Sequence, residues 1–205
     1  SLGVIIVGYV FICALFFVFQ QSLIYFPSNQ DFASCARFSD AQKINIEGTR
    51  MYYQQVSDVL VIVYHGNEGS ACDRSFLKNL LAEENISYLF VEYAGYSSDK
   101  RTPNKERILN DVQNVHKFIR SLNMSKVIVL GESIGTAPAA FQASLGNVDT
   151  LILISPFTKF SEVASYHYPF LPISFLLHDT YDNSEALKNF DGKLLILHGT
   201  KDTTV

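Results

Sequence analysis

The chain is poor in cysteine and in charge, and several patterns that would point to other chemistries are missing. Of 205 residues only three are cysteines, and 18% are charged. No C-x-x-C or mixed Cys/His spacing occurs, so the residue sets that build zinc sites are absent. Cys13 sits in an apolar run, leaving Cys35 and Cys72 as the pair that could bond. Two cysteines do not by themselves reveal the redox compartment. There is no basic surplus either. The net charge is −4, which argues against a nucleic-acid partner. No G-x-G-x-x-G follows the first strand of a βαβ unit, so a dinucleotide site is a poor reading. No internal repeat or low-complexity tract is present. What remains is a chain 48% hydrophobic, long enough for one domain with a sizeable core.

The first charge is Asp31, and Leu2 to Phe19 carries no charged or strongly polar residue. At 1.5 Å per residue that run covers roughly 27 Å, close to the hydrocarbon thickness of a bilayer. Gln20, Gln21 and Ser22 read as the exit, and Tyr25 and Phe26 suit the interface. A cleaved signal peptide would show a basic n-region and an A-x-A-like site. Neither is visible, which favours an uncleaved single-pass anchor over 1–22, with the side of the membrane open. The sequons Asn85-Ile86-Ser87 and Asn123-Met124-Ser125 matter only for a lumenal or external domain. Residues 23–40 read as a linker and 41–205 as the domain.

Within the domain, buried-type strands alternate with helices. Lys43 to Ile46 and Arg50 to Val56 suggest a hairpin about Gly48. Val59 to Tyr64, Ser87 to Val91, Lys126 to Leu130, Thr150 to Ile154 and Lys193 to Leu197 read as buried strands. Asp73 to Glu84 reads as a helix with Phe76, Leu77, Leu80 and Leu81 on one face. Ile108, Val112, Val115, Ile119 and Leu122 recur in steps of four and three, which predicts a helix. The alternation implies a mostly parallel sheet covered on both faces. Residues 155–190 break it with many aromatics, together with Pro169 and Pro172, a cap-like segment able to offer an apolar wall to an acyl chain.

Ligands of open α/β sheets sit at the carboxyl ends of the strands, and three such ends carry useful chemistry. The first is Gly131-Glu132-Ser133-Ile134-Gly135, a G-x-S-x-G between strand and helix, the pattern of a nucleophile elbow. Gly131 and Gly135 are read as the residues that let so tight a turn close. Ser133 is the candidate nucleophile. The second is His65-Gly66-Asn67. A main-chain N–H of this loop, assigned to Asn67 ahead of Gly66 or Glu68, would pair with that of Ile134 as an oxyanion hole. The third is His198-Gly199-Thr200-Lys201-Asp202, where Asp202 could orient a catalytic histidine.

These stretches, with Glu92-Tyr93-Ala94-Gly95-Tyr96-Ser97, resemble the membrane-associated α/β-hydrolase-domain (ABHD-type) serine hydrolases. The similarity covers roughly Leu23 to the end, including Leu23-Ile24-Tyr25-Phe26-Pro27 just past the apolar run. It implies the α/β-hydrolase fold, a Ser–Asp–His triad and no metal or organic cofactor. It also implies hydrolysis of ester or thioester bonds in lipids or acylated proteins. The elbow followed by Thr136-Ala137-Pro138 is most similar to the depalmitoylating branch. Relatives usually carry a basic or polar residue at the position of Ala94 and a glycine at that of Ser97. A larger departure is the base. In the hydrolase order the histidine follows the acid, yet all five histidines here precede Asp202. His65 and His198 occupy family positions that shape loops. The expectation is therefore a fragment lacking its last strand and helix, with the catalytic histidine beyond Val205 and little turnover by this chain alone. The competing functions are a peptidase or small-ester hydrolase of the same fold, and an inactive hydrolase fold used for binding.

Overall fold

Alternation of buried side chains at a period of two organises the sheet. In the computed structural model, which describes residues 1–200, the elements in order are α1 (Leu2–Ile24), β1 (Phe26–Pro27), β2 (Gln42–Ile46), β3 (Thr49–Gln54), β4 (Val59–Tyr64), β5 (Glu68–Gly69), α2 (Phe76–Glu83), β6 (Ser87–Glu92), α3 (Lys105–Arg120), β7 (Lys126–Glu132), α4 (Thr136–Ser144), β8 (Thr150–Ile154), α5 (Phe160–His167), α6 (Ile173–Leu176), α7 (Asn183–Ala186) and β9 (Lys193–Leu197). Leu60, Ile62 and Tyr64 of β4 enter one core cluster, and Val61 and Val63 enter another. Leu89 and Val91 of β6 divide in the same way from Tyr88 and Phe90. Successive side chains of a strand point to opposite faces, so these strands are buried on both.

The seven-stranded sheet runs β2-β3-β6-β4-β7-β8-β9. β2, β3 and β6 pair antiparallel, and every pair from β6 through β9 is parallel. This is the α/β-hydrolase arrangement, a mostly parallel sheet with helices on its faces. The chain leaves β4 towards β6 on one side, then crosses back to β7 and continues outward on the other. The order therefore reverses between β4 and β7, where a ligand crevice opens at the strand ends.

Helix α3 forms where the four-and-three spacing predicts. Asn104 caps it, its side chain accepting from the Arg107 N–H at 2.9 Å. Ile108, Val112, Val115 and Ile119 are all buried beneath it, each contributing about 1.5–3 kcal/mol. Helix α2 is shorter than the sequence suggests, because Ala71–Arg74 forms a 3-10 turn. Only Leu77 and Leu81 pack inward, leaving Phe76 and Leu80 exposed. β9 also departs from expectation. It reads as a buried strand, but each of its residues is exposed. Among the described residues it lies at the sheet edge, paired only with β8, and no element covers it.

The segment after α1 is packed rather than loose. β1 pairs with β5, Phe32 and Phe38 are buried against Tyr52, and Cys35 is disulfide-bonded to Cys72. Helix α1 is long and apolar enough to cross a membrane, with a mean hydropathy of 2.8. Most of it is exposed, but Phe16, Gln20 and Ile24 are buried against the domain. Gln20 thus does not mark an exit to water. Its amide donates to the Leu176 carbonyl at 2.9 Å and accepts from the His178 N–H at 2.7 Å.

Candidate active site

The register of the sheet brings two strand ends together. Tyr64 at the end of β4 lies opposite Gly131 of β7, so the His65-Gly66-Asn67 loop emerges beside the turn that follows β7. That turn is a 3-10 step over Ser133–Gly135, leading straight into α4. Ser133 has φ +51°, a left-handed conformation rare for a residue with a side chain. The flanking glycines are demanded by contact. A Cβ on Gly131 would lie 2.5 Å from the Gly135 carbonyl oxygen, and one on Gly135 would lie 2.3 Å from that of His65.

Ser133, Ile134 and Asn67 line one cavity of about 330 Å³. Its remaining walls are apolar side chains of two origins: Phe157, Phe160 and Leu177 from the 155–190 segment, and Phe16, Leu23 and Ile24 from α1. His167, on the last turn of α5, lines it too. A larger cavity of about 550 Å³ lies beside α4 and α7, but neither Ser133 nor Asn67 borders it. The smaller one holds the elbow and is the candidate site. Asp202 lies outside the described residues.

The loop beside Ser133 is braced from several directions. Asn67 accepts hydrogen bonds on its carbonyl from the Phe26 N–H at 2.9 Å and the Tyr96 hydroxyl at 2.7 Å. Its side-chain amide donates to the Ile24 carbonyl at 3.3 Å. These bonds fix the carbonyl and the side-chain nitrogen of Asn67, and with them the course of the loop beside Ser133. Tyr93 donates to the His65 carbonyl at 2.7 Å. His65 is 1% exposed, and its ring nitrogens lie 2.8 Å from the Gly66 carbonyl and 3.2 Å from Glu92. His65 is therefore committed to the loop.

Glu92 and Ser97 of the tyrosine-rich motif brace the site, and so do Arg74 and Asn183, which no motif names. Glu92 is fully buried and accepts from Ser97 Oγ and the Ala71 N–H as well as facing His65. Ser97 has φ +47°, which explains the glycine usual at that position in the resemblance, and here its hydroxyl anchors the turn to Glu92. Arg74 binds both oxygens of Glu132, at 2.7 and 2.9 Å, clamping the residue before Ser133. Those bonds, working against burial, raise the Arg74 pKa and hold the guanidinium charged. Asn183 ties the capping segment to the elbow, donating to Thr136 Oγ1 at 3.0 Å and to the Phe157 carbonyl at 2.9 Å. The spacing of Glu92 inside its tyrosine-rich motif was the available signal; Arg74 and Asn183 carried none.

Comparison with known proteins agrees with this architecture. Residues 43–164 match a family model described as "Alpha/beta hydrolase of unknown function (DUF1057)". An uncharacterised Mycobacterium tuberculosis protein is 29% identical over 199 residues, covering 91% of this chain and 71% of its own length. Human protein ABHD12B is 32% identical over 71% of this chain, and human alpha/beta hydrolase domain-containing protein 17B is 26% identical over 68%. The chain spans about half of those two human proteins, 46% and 49% of their lengths. Among solved structures, an α/β hydrolase of Vibrio vulnificus superposes with a TM-score of 0.66 at 21% identity, over 78% of this chain and 64% of that one. An esterase of Pyrococcus furiosus gives 0.66 at 18% identity, over 89% and 79%. With the family model spanning more than half of its residues, the chain belongs to the α/β hydrolases.

Proposed function

We propose that the protein is a membrane-anchored serine hydrolase that cleaves acyl ester or thioester bonds in lipids or acylated proteins. One observation carries this reading. Ser133, held at φ +51° between two glycines that tolerate no side chain, faces an otherwise largely apolar cavity. In this mechanism Ser133 Oγ bonds to the acyl carbonyl carbon as a histidine takes its proton. The carbonyl oxygen becomes an oxyanion, which the N–H groups of Asn67 and Ile134 stabilise. The carbon–oxygen or carbon–sulfur bond then breaks, and the alcohol or thiol leaves with the proton returned by the histidine. Water repeats the sequence on the acyl-enzyme and releases the acid. Asp202 is assigned to orient the histidine. The acyl chain lies along Phe157 and Phe160, the wall expected of the 155–190 segment.

The anchor belongs to the same proposal. Because Phe16, Leu23 and Ile24 wall the cavity, cleavage of α1 as a signal sequence would remove part of the site. That favours an uncleaved helix.

The resemblance puts the catalytic histidine C-terminal to Asp202. A second reading gives the role to His167, favoured by its lining the Ser133 cavity. Labelling of the full-length protein with a fluorophosphonate probe tests both. Ser133→Ala, with its circular dichroism unchanged, is expected to abolish labelling. His167→Gln keeps labelling within a few-fold of wild type in the first reading, and lowers it by on the order of 10³ in the second. A folded wild type that takes no label leaves the inactive binding module as the function.

A further inference from the structure

Helix α1 and the capping segment share an interface that a simple tether would not need. Phe16 is 7% exposed and stacks edge-on against Tyr168 at 5.4 Å. Phe17 meets the His178 ring at 4.2 Å. The Tyr9 hydroxyl donates to the Phe170 carbonyl at 2.9 Å. From Ile24 to Tyr9 the helix advances about 22 Å, so the segment follows α1 for more than the roughly 15 Å of one leaflet's hydrocarbon. If α1 is in a bilayer, as the proposed function holds, this segment is in it too.

Its chemistry suits that place. Residues 166–178 contain no Asp, Glu, Lys or Arg. Phe170 and Phe175 are 61% and 85% exposed, which in water would leave two large aromatic surfaces uncovered. Much of the backbone is also satisfied locally, as hydrocarbon requires. The N–H groups of Tyr168, Leu171, Ile173, Phe175, Leu176 and Leu177 all donate to carbonyls of nearby residues. Pro169 and Pro172 have no N–H to satisfy. Gln20 takes up the Leu176 carbonyl and the His178 N–H with the two ends of one amide. Asp179, the first charge beyond, receives the hydroxyl of Tyr25 at 2.7 Å, just past the end of α1 where the polar zone begins.

We infer that residues 166–178 dip into the bilayer beside α1, and that together they frame a lipid-facing mouth to the Ser133 cavity. The ligand is an acyl chain supplied from within the bilayer, and Phe16 of the anchor is a specificity residue for its length. At roughly 30 Å³ per non-hydrogen centre, the cavity of about 330 Å³ accommodates on the order of ten methylenes. A longer chain would continue along α1 towards the leaflet.

The insertion is tested on the full-length protein in phosphatidylcholine vesicles, in a Cys13→Ala background. Phe175→Cys carries an environment-sensitive fluorophore, and Asn123→Cys, before β7 at the opposite end of the strands, carries the control. The fluorophore at 175 is expected to be quenched by lipids spin-labelled on their acyl chains and shielded from aqueous iodide, with the reverse at 123. Equal iodide quenching at both sites overturns the inference, whether or not the protein is a hydrolase. The specificity role rests on the serine-hydrolase reading and uses Ser133 labelling by fluorophosphonates of increasing alkyl length. Phe16→Ala is expected to raise the long-to-short rate ratio by roughly tenfold or more, and Phe16→Trp to lower it. An unchanged profile in both variants makes α1 a tether only. Absence of any Ser133 labelling in wild type defeats the hydrolase reading and removes the specificity role with it, while the quenching experiment still decides insertion.

Discussion

Gly135→Ala is the sharpest probe of the elbow. The added methyl would lie 2.3 Å from the His65 carbonyl oxygen and 2.4 Å from that of Tyr64. Both atoms belong to backbone at the end of β4, and Tyr64 is held in register with Gly131 on one side and Val91 on the other. Ordinary contact therefore requires the elbow and β4 to separate by about 1 Å. Overpacking of this kind costs about 1–3 kcal/mol, and disturbing one or two sheet hydrogen bonds adds about 1 kcal/mol each. A loss of about 3–4 kcal/mol is expected, out of a total of about 5–15. Urea unfolding followed by circular dichroism reads it as a midpoint shift of roughly 1–2 M. The same displacement moves Ser133 relative to Asn67, so fluorophosphonate labelling should slow by about 10²-fold. Gly146→Ala is the control. Its φ of +89° makes a side chain strained, but no atom lies within 4 Å, so only about 1–2 kcal/mol is lost. A Gly135→Ala protein no less stable than Gly146→Ala would refute the steric argument.

Three other outcomes follow from the same geometry. Ser133→Gly should abolish labelling yet stabilise the fold relative to Ser133→Ala by about 1 kcal/mol, because only glycine relieves the φ of +51°; equal urea midpoints would remove strain from the account. The buried Cys35–Cys72 disulfide fits an oxidising compartment, and Asn85 and Asn123 are exposed before β6 and β7. Expression in animal cells should therefore yield a glycosidase-sensitive mass shift, whereas an unshifted protein with both thiols alkylatable would place the domain on the cytosolic side. Burial raises the Asp111 pKa above its ordinary 3.8, against hydrogen bonds from Thr49 and the Ala94 N–H. Its contribution to stability is thus full below pH 3.8 and is lost as pH rises through the raised value. Asp111→Asn should flatten the urea midpoint across that window, and an unchanged slope would assign it to other groups.

The sheet and its crevice were legible because their signals are local. Val59 to Tyr64 and Val127 to Leu130 announce buried strands by composition, and α3 announces itself by spacing. Gly131 and Gly135 follow from a turn geometry that a pentapeptide encodes. What stayed hidden depends on contacts distant in sequence. Nothing near Gln20 signals that an amide in an apolar helix meets Leu176, and nothing near Arg74 signals Glu132. β9 reads as buried because Leu194 to Leu197 are apolar, but exposure depends on what covers a strand rather than on its composition. Asn67 is expected as an oxyanion donor from its loop alone, whereas the contacts that brace that loop, from Phe26 and Tyr96 to its carbonyl and from its side-chain nitrogen to Ile24, are distant in sequence.

The Gln20 amide also sets an order of assembly. A ribosome releases Gln20 long before its partner Leu176, 156 residues later. At roughly 5–20 residues per second that interval is on the order of ten to thirty seconds. With α1 in the bilayer as proposed, the Gln20 amide has during this time only the Phe17 carbonyl of its own helix, 3.0 Å from Nε2, and its oxygen still lacks the His178 N–H. The helix thus waits for a partner made 156 residues later. Docking of the segment that carries it supplies the remaining partners of the amide, so the helix and the segment that walls the cavity are satisfied in one event.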